Sequence, residues 1–347
     1  MRTFKSLPLI LVLGLLAGSL TGIAGVAGVA HATEAGPGQL EVTFFDVGQG
    51  DAALYRGPCG ELGAIDANPR AVGPIRAALD GRPLKWFAAS HYHRDHMGGA
   101  VKLMTDVRTG TVYDRGGGRD AHPSTTYQDY FDHIVEEEIP HVALRIGEAF
   151  TLCEGADQVT FRVVWVATGD VSAGGDRIVE ENDRGLCLKV EYREFDLATC
   201  GDISGRTVGD YRDIESIVAP VLGDVEVAKV NHHGSKYSSN AAYVEALSAQ
   251  VGVVSVGRNA FGHPDPDVLD RWKAENTALY QTGDPSGVPL DGDVTIRTPG
   301  VNGFTASTRA SGKGDHYALD ENRISISDAA VIEGDQGDVT ATFVVSR

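Results

Sequence analysis

Three histidines and one aspartate lie within six residues of the chain, at His91, His93, Asp95 and His96. The apolar run before them predicts a buried strand, and residues 98–104 have helical spacing, so these side chains occupy a strand-to-helix loop. Burying them would be costly without a shared partner, and nitrogen and oxygen ligands suit divalent metals. The spacing predicts a metal loop in which His91 and His93 face one position and Asp95 and His96 a second. A solvated histidine-rich surface is the alternative.

Three further polar clusters each come at the end of a predicted strand. The first contains Asp202, the second His232 and His233, and the third Asn259 and His263. We expect these clusters to converge with the metal loop, because sites in α/β folds collect at one edge of a sheet. A site with two metals needs a bridging carboxylate and a distal ligand, and Asp202 and the histidine pair suit these tasks. Any one histidine taken by itself could equally be a hydrogen-bonded core residue.

Strands dominate both halves of the chain, and helices are interleaved between them. This order predicts an α/β fold, an αβ sandwich rather than a doubly wound parallel sheet. The helices are predicted at 74–79, 98–104, 126–139, 211–222, 243–247 and 268–275.

The composition describes a globular protein of 347 residues, with 42% hydrophobic and 22% charged residues. These values exclude collagen-like, coiled-coil and largely disordered chains. The net charge of −18 counts against a protein that coats nucleic acid, because such a surface must attract phosphate. Locally, however, four basic residues border the metal motifs: Arg94, Lys229, Lys236 and Arg258.

The first 32 residues are predicted to be a secretory signal peptide. Arg2 and Lys5 form a basic start, 9–30 is apolar or small, and Ala30-His31-Ala32 supplies a cleavage site. A membrane anchor is the alternative, since the run is long enough to span a bilayer. Cleavage would remove two positive charges and no negative ones, so we expect an acidic, exported protein that does not contact the membrane.

Four cysteines follow the predicted signal peptide, and an even number in an exported chain suggests two disulfides. Cys187 and Cys200 lie opposite each other if 186–192 and 195–199 form a hairpin, and opposed residues are close enough to bridge. By exclusion Cys59 would pair with Cys153. Four free buried thiols are the alternative.

Taken together, the motifs resemble the metallo-β-lactamase superfamily, and most closely the hydrolase domain of ComEC-type competence proteins. The resemblance covers about 39–307, and similar motifs occur in secreted choline-phosphate esterases. It implies an αβ/βα four-layer sandwich, two divalent metal ions (Zn or Mn) and hydrolysis by metal-bound hydroxide. The motifs that carry it, in order, are Asp46 to Asp51, Ile65-Asp66, Ser90 to Gly99, Asn182-Asp183, Cys200 to Asp202, His232 to Ser235 and Gly262 to Pro264.

The resemblance also assigns roles to individual residues. His91 and His93 would hold one metal and Asp95 and His96 the other, with Asp202 as the bridge and His232 or His233 completing the second site. Asp95 and Asp202 would orient the attacking hydroxide. Residues expected behind the ligands or facing the substrate are Asp46, Asp51, Asp66, Ser235, Asn259 and His263.

Two departures from the superfamily limit what the resemblance implies. Many members have a further histidine ligand between the metal loop and the bridging aspartate, but here that interval holds only His122, His133 and His141, none at a convincing strand end. The first metal site is therefore expected to be open or weak. Competence proteins also carry a membrane channel, which this sequence does not show, so the resemblance does not imply a role in DNA uptake.

The leading expectation is a secreted phosphodiesterase or nuclease. The alternative within enzymes is a choline-phosphate esterase or another hydrolase of small esters, lactones or β-lactams, for which Tyr92, Tyr237 and Phe261 are candidate aromatic contacts. A non-enzymatic alternative is an inactive surface-binding module. The expected partner is a small-molecule or nucleic-acid phosphodiester.

The C-terminal segment 308–347 is predicted to be a β extension. Its last part, Ile324 to Ser346, resembles the opening of a Calx-β repeat, with two alternating strands around an acidic glycine turn. That resemblance implies contact with calcium or cell-wall polymers. An ordinary C-terminal hairpin is the alternative.

Overall fold

A computed structural model of the protein describes residues 38–168, 172–173, 176–319, 325–326 and 345–346. The predicted signal peptide lies outside the described residues. Of the Calx-β-like segment, the structure describes only a short antiparallel pairing of Ser325–Ile326 with Val345–Ser346. Both stay predictions.

The described strands and helices alternate along most of the chain. In chain order the strands are β1 (Leu40–Phe44), β2 (Ala52–Arg56), β3 (Leu62–Ala67), β4 (Leu84–Ala88), β5 (Thr109–Asp114), β6 (His141–Ala143), β7 (Ala149–Leu152), β8 (Val159–Trp165), β9 (Ser172–Ala173), β10 (Asp176–Arg177), β11 (Cys187–Tyr192), β12 (Phe195–Thr199), β13 (Val227–Lys229), β14 (Val251–Val254), β15 (Ala278–Gln281), β16 (Val294–Thr298), β17 (Phe304–Thr308), β18 (Gly314–Tyr317), β19 (Ser325–Ile326) and β20 (Val345–Ser346). The α-helices are α1 (Val72–Leu79), α2 (Arg94–Met97), α3 (Ala100–Asp106), α4 (Thr125–Glu136), α5 (Glu215–Leu222), α6 (Ala241–Leu247) and α7 (Pro266–Ala274).

Two large sheets carry the fold. The first has the strand order β18-β17-β16-β1-β2-β3-β4-β5-β6, and the second has the order β15-β14-β13-β12-β11-β8-β7. Each sheet is mixed: β3 to β6 run parallel in the first, and β12 to β15 run parallel in the second. The remaining neighbours within these two sheets are antiparallel.

Three separate apolar clusters show how the layers are stacked. The central cluster takes side chains from both sheets, for example Phe44 and Trp86 from the first and Val190 and Val253 from the second. A second cluster joins the outer face of the first sheet to α1, α3 and α4, and a third joins the outer face of the second sheet to α5, α6 and α7. Sheets buried on both faces by helices and by each other form four layers. The predicted αβ/βα sandwich is therefore confirmed.

The parallel halves of the two sheets position the polar clusters. Asp66 lies at the end of β3, the metal loop follows β4, Asp202 follows β12, and the histidine pair follows β13. Since parallel strands end at the same edge of a sheet, consecutive strands deliver these side chains to neighbouring places.

Both predicted disulfides are present. The β11–β12 hairpin pairs Tyr192 with Phe195 and Leu188 with Thr199, and Cys187 is bonded to Cys200 just beyond that register. Cys59, in the turn between β2 and β3, is bonded to Cys153, with the two Cα atoms 5.8 Å apart. This second bond links the first sheet to the end of β7 in the second sheet.

One predicted helix begins later than expected. The spacing predicted a helix over 211–222, but α5 begins at Glu215. Before it, the Asp183 carboxylate accepts a hydrogen bond from the backbone N–H of Arg212, and the backbone of Val208 pairs with that of Tyr211. These bonds hold the chain in an irregular loop, and apolar periodicity does not report them.

Candidate metal centre and its cavity

The metal loop is held in place by the aspartate at the end of β3. Asp66 accepts hydrogen bonds from both the backbone N–H and the hydroxyl of Ser90, each at 2.7 Å. The β1–β2 turn packs against the loop from the other side, where the Asp51 N–H donates to the Asp95 carbonyl oxygen at 3.2 Å. Gly50 permits this approach, because a Cβ there would lie 2.3 Å from that same oxygen.

Four side chains from three separated segments converge beside this loop. The Nε2 atoms of His96 and His233 are 3.2 Å apart, and the Oδ2 atom of Asp202 lies 3.2 Å from the first and 3.4 Å from the second. The Oδ2 atom of Asp95 lies 3.5 Å from Nε2 of His233 and 4.0 Å from Nε2 of His96. Tetrahedral ligands with bonds of roughly 2.0–2.1 Å stand about 3.3–3.4 Å apart. The four atoms therefore have the spacing of a metal coordination shell.

The hydrogen bonds of the two imidazoles show that this cluster fits a cation. Nδ1 of His233 donates to the Ser255 carbonyl oxygen, and Nδ1 of His96 lies 2.8 Å from the Asp66 carboxylate. With Nδ1 committed in this way, both rings direct Nε2 toward each other and toward two carboxylates. The Oδ1 atom of the buried Asp202 also has no hydrogen-bond partner. When Nε2 of both rings is deprotonated, the set consists only of acceptors, and a metal ion would satisfy it.

The electrostatics of the cluster agree with this interpretation. Burial lowers the pKa of His233, but the Asp202 and Asp51 carboxylates outweigh burial and raise that pKa to about 10. The same opposition raises the pKa of His96 well above its usual value, mainly through Asp202 and Asp66. Burial acts to raise the pKa of Asp202, but the three nearby histidines hold it well below the usual range. The cluster therefore attracts positive charge strongly.

The imidazoles of His91 and His93 form a second pair next to this cluster. Nε2 of His91 lies 3.1 Å from Nδ1 of His93, and Nδ1 of His91 lies 3.1 Å from the hydroxyl of Ser90. Burial, together with the neighbouring His96, lowers the pKa of His91 well below its usual value. A neutral His91 keeps a lone pair available for a metal.

The histidine pair after β13 separates into two roles. His232 and His233 both have a left-handed backbone, with φ values of 51° and 54°. The turn directs Nε2 of His233 into the four-atom cluster, whereas Nε2 of His232 lies 3.8 Å from Asp202 and its ring lies near that of His263. His233 is thus the member of the pair that is placed as a ligand.

Lys229 and Asp51 lie behind the cluster and not in front of it. Lys229 is 3% exposed, and its ammonium forms an ion pair with Oδ2 of Asp51 and donates to the Gly201 carbonyl oxygen at 2.9 Å. Asp51 approaches the Nδ1 sides of His96 and His233, at 3.5 and 3.7 Å. Although Asp51 groups with the ligands by distance, it contacts the sides of the rings that face away from Asp202. Lys229 is also buried too deeply to belong to a basic track for substrate.

A cavity of about 400 Å³ opens above the metal cluster. Its walls carry histidine, carboxylate, amide, aromatic and lysine side chains. The lining includes Asn182, Tyr211, Lys236, Tyr237, Phe261 and His263.

The remaining predicted site residues divide between the cavity and its supports. Ser235 lines the cavity, and its hydroxyl accepts a hydrogen bond from the Tyr237 N–H. Asp46 instead stabilises the β1–β2 turn by accepting from the Gly48 N–H. Asn259 is committed to the backbone of its own loop, since its Oδ1 atom accepts from three consecutive N–H groups that end at His263.

Two histidines between the metal loop and Asp202 are bonded to other side chains, and one tyrosine predicted to contact substrate is buried. His141 bonds Asp114, and His122 bonds Ser124, although the His122 ring lies 6.0 Å from that of His93. Tyr92 is fully buried and lies under the Arg115 guanidinium, so its expected contact with substrate was wrong.

Two lining residues were not given a role from the sequence. Asn182 is 3% exposed, and the cavity that it lines also contains His93 and Asp202. Asn182 belongs to the Asn182-Asp183 motif, so the sequence did contain a signal for it. Tyr211 fell inside the helix predicted over 211–222 and gave no signal of its own.

The motif resemblance is matched by one curated relative. Over 262 residues the chain is 26% identical to "Competence protein ComA" of Neisseria gonorrhoeae. The match covers 73% of this chain and 33% of the relative, so the chain spans about a third of the length of the protein it matches. The resemblance to competence proteins is thereby confirmed. No protein-family model matches the chain.

Solved structures with a similar fold are distant in sequence. They include the metallo-β-lactamase fold protein YhfI of Bacillus subtilis, 11% identical with a TM-score of 0.43, where the match covers 75% of this chain and 100% of the other. CmlA of Streptomyces venezuelae, described as a diiron β-hydroxylase, is 15% identical with a TM-score of 0.46, covering 75% and 54%. A diphosphatase of the PhnP family is 12% identical with a TM-score of 0.42, covering 75% and 98%.

Proposed function

We propose that the protein is a hydrolase of phosphodiesters that uses two divalent metal ions and acts outside the cytoplasm. The observation that carries this proposal is the convergence of His96, His233, Asp95 and Asp202 beside the His91–His93 pair, at the floor of an open cavity. Metal ions bound there would supply Lewis-acid activation of water and neutralise charge on the transferring group.

The side chains of the site have separate tasks in this proposal. Asp202 and His233 would hold the second metal with Asp95 and His96, and His91 and His93 would hold the first. Asp66 fixes the tautomer of His96, and the Ser255 carbonyl oxygen fixes that of His233. Asp95 and Asp202 would orient the attacking water by accepting hydrogen bonds from its O–H groups.

A covalent nucleophile is not required for this chemistry. All four cysteines are in disulfides, and the Ser235 hydroxyl is already engaged by the backbone of its own turn. Attack by water is therefore the route that the lining residues support.

An extracellular location rests on the two disulfides, which persist in oxidising compartments. Within the part of the chain that the structure describes, no helix combines the length and the apolar character needed to cross a bilayer. Cleavage after Ala32 by a signal peptidase is the export route that we propose.

The test is to incubate the metal-loaded full chain with bis-p-nitrophenyl phosphate, plasmid and single-stranded DNA, p-nitrophenyl phosphorylcholine and nitrocefin. We expect diester cleavage that is lost in Asp202→Ala and His93→Ala and retained in the exposed control Asp132→Asn. Cleavage of nitrocefin, or of the phosphorylcholine diester in preference to bis-p-nitrophenyl phosphate and DNA, would support the esterase alternative. A protein that binds two metals and cleaves none of these would contradict the proposal.

A further inference from the structure

Aromatic side chains form one part of the cavity rim, and the metal cluster does not account for them. Tyr211 and Tyr237 are stacked, with ring centroids 5.0 Å apart and planes at 22°. Phe261 lines the same cavity and is 75% exposed. We name these three rings the aromatic rim (Tyr211, Tyr237 and Phe261). We propose that the aromatic rim binds an unstacked nucleobase, an inference that rests on the proposed function. The substrate is then a nucleoside phosphodiester, either a nucleotide or a single strand, rather than a duplex.

The exposure of Phe261 is maintained by a well-ordered loop. The Oδ1 atom of Asn259 accepts hydrogen bonds from the N–H groups of Phe261, Gly262 and His263 at 3.0–3.1 Å. Its amide nitrogen donates to the carbonyl oxygens of Gly257 and His263, both at 2.8 Å. Five bonds to one side chain fix the loop, so the ring is held out toward the cavity before any ligand arrives. Such preorganisation lowers the entropy lost on binding.

The two tyrosines are fixed by separate contacts with the fold. The Tyr237 N–H donates to Ser235, and its carbonyl oxygen accepts from the Gly205 N–H at 2.8 Å. Tyr211 follows a loop that Asp183 holds through the Arg212 N–H at 2.6 Å. These bonds fix the backbone at both tyrosines, and the Tyr211 ring, stacked on that of Tyr237, has its centroid 6.3 Å from that of His232. A base on these rings would place its phosphate toward the metal cluster.

The charge near the aromatic rim favours a nucleotide over choline. The Lys236 ammonium lies 5.1 Å from the centre of the Tyr237 ring. A quaternary ammonium bound to the same ring would meet this like charge, whereas a phosphate would be attracted by it. The carboxylate of Asp265, which also lines the cavity, caps α7 by accepting from the Asp267 N–H.

The whole-chain charge favours a substrate with accessible base faces. A net charge of −18 weakens long-range attraction of a polyanion, so short-range contacts must supply affinity. Stacking on aromatic rings beside a positive charge is how single-strand sites gain affinity without reading sequence. Bases in a duplex present only their edges, because their faces are covered by neighbouring bases.

The first experiment compares three chromogenic substrates with the metal-loaded full chain. They are the p-nitrophenyl ester of thymidine 5′-monophosphate, methyl p-nitrophenyl phosphate and p-nitrophenyl phosphorylcholine. Stacking is worth about 1–3 kcal/mol per base, so Phe261→Ala and Tyr237→Ala should each raise KM for the thymidine ester about tenfold. Because the methyl ester has no base, both changes should lower kcat/KM for the thymidine ester far more than kcat/KM for the methyl ester. Tyr237→Phe keeps the ring and should retain the low KM, and Val135→Ala, an exposed apolar change on α4, is the matched control.

The second experiment measures binding without catalysis. Fluorescence anisotropy of a labelled oligothymidylate strand on the metal-free protein should show weaker binding by Phe261→Ala and Tyr237→Ala but not by Val135→Ala. The labelled strand is then displaced with thymidine 5′-monophosphate, with an unlabelled strand or with a duplex, at matched base concentration. Displacement by the mononucleotide as effective as by the strand indicates a nucleotide site. Displacement that requires the strand indicates a polymer site. Displacement by the duplex as effectively as by the strand would overturn the inference.

The outcomes distinguish this inference from the proposed function. Equal cleavage of the thymidine and methyl esters, unchanged in both alanine variants, refutes the aromatic rim as a base site and leaves the diesterase in place. A preference for the phosphorylcholine ester that Tyr237→Ala abolishes would replace the nucleobase with choline. Failure to cleave any diester refutes the proposed function, and the anisotropy measurement then still decides whether the rim binds a base.

Discussion

Two hydrogen bonds on the outer sides of the rings decide what His96 and His233 can bind. Each ring is anchored through Nδ1, one by Asp66 and one by the Ser255 carbonyl oxygen. Anchoring at Nδ1 fixes the tautomer, and both Nε2 lone pairs then point at the same place. The ligands of this site are thus determined by residues that do not touch a metal themselves.

Replacing Asp66 by asparagine should weaken metal binding while leaving the chain folded. The Asp66 carboxylate accepts hydrogen bonds with both oxygens, from Ser90 and from His96. An asparagine has only one oxygen, so its NH₂ group would face one of these donors and that hydrogen bond would be lost. Loss of such a partner typically costs 10–100-fold in metal affinity. The measurement is a competition titration against a chromophoric chelator. Asp132→Asn is the control, since that aspartate, with a side chain 39% exposed, pairs with Arg119 and does not line the cavity. An unchanged affinity in Asp66→Asn would contradict this role.

Lys229 should be important for stability because it is a buried cation between two carboxylates. Its ammonium contacts Asp51 and lies 3.7 Å from Oδ1 of Asp202. In the metal-free protein, Lys229→Met removes one of the buried cations that neutralise these carboxylates, and breaking a buried pair costs about 3–5 kcal/mol. Urea unfolding should show this loss in the free energy of unfolding.

The double variant Lys229→Met/Asp51→Asn provides the control for that prediction. If the ion pair causes the effect, removing both charges should cost less than the sum of the two single changes. Additive losses would mean that Lys229 contributes through its packing instead.

At the scale of elements, α5 supports the turn that delivers His233. Glu215 in the first turn of α5 accepts hydrogen bonds from the Asn231 side chain and from the N–H groups of Ser239 and Asn240, at 2.6–2.8 Å. These bonds link the start of the 231–234 turn to the segment that follows it. They stabilise a backbone in which two successive non-glycine residues adopt positive φ, which is otherwise costly.

The same glutamate should give the stability a distinct pH dependence. Burial raises the pKa of Glu215 to about 7, above the usual carboxyl value, although its hydrogen bonds oppose the rise. The folded protein then keeps this proton where the unfolded chain has released it, so the contribution of Glu215 to stability falls as pH rises between about 4.5 and 7.

A comparison with Glu215→Gln isolates this effect from other titrating groups. The wild-type free energy of unfolding minus that of the variant should be larger near about pH 5 than near about pH 8, because the variant does not titrate in this window. Urea unfolding at both pH values measures the difference. A difference that does not change with pH would show that Glu215 is ionised throughout.

Elements with a strong apolar pattern were predictable, and exposed ones were not. Strands β1 to β4 and β11 to β14 are buried on most positions, and their apolar runs were visible in the sequence. By contrast, β18 has four residues of which three are exposed, and β6 has two of three exposed. These strands lie at the two edges of the first sheet and are held by backbone pairing, which leaves no period in the sequence.

At the scale of the whole molecule, the Cys59–Cys153 bond joins the two sheets at the far ends of a long segment. The two cysteines are separated by 94 positions. Restricting so long a loop in the unfolded chain stabilises the fold, and removing such a bond costs about 2–5 kcal/mol. The variant Cys59→Ser/Cys153→Ser should show this loss in urea unfolding under oxidising conditions.

Reduction supplies the control for the disulfide prediction. In the presence of a strong thiol reductant the wild type also loses the bond, so the two proteins should unfold at nearly the same urea concentration. If the variant remains less stable under reductant, its defect comes from the serine side chains and not from the missing bond.

The sequence by itself determined the fold class, the pairing of the cysteines and which segments meet at the metal cluster. These features depend on local patterns: apolar periods, a hairpin register, and histidines at fixed spacing after strands. The tertiary structure decided that His233 and not His232 points into the cluster, that Lys229 is buried behind it, that Tyr92 is enclosed, and that Tyr211 reaches the cavity. Each of these depends on a contact between segments distant in sequence, such as Lys229 with Asp51 or Asp183 with the backbone of Arg212. Such contacts are set by how the layers pack, and spacing along the chain carries no record of them.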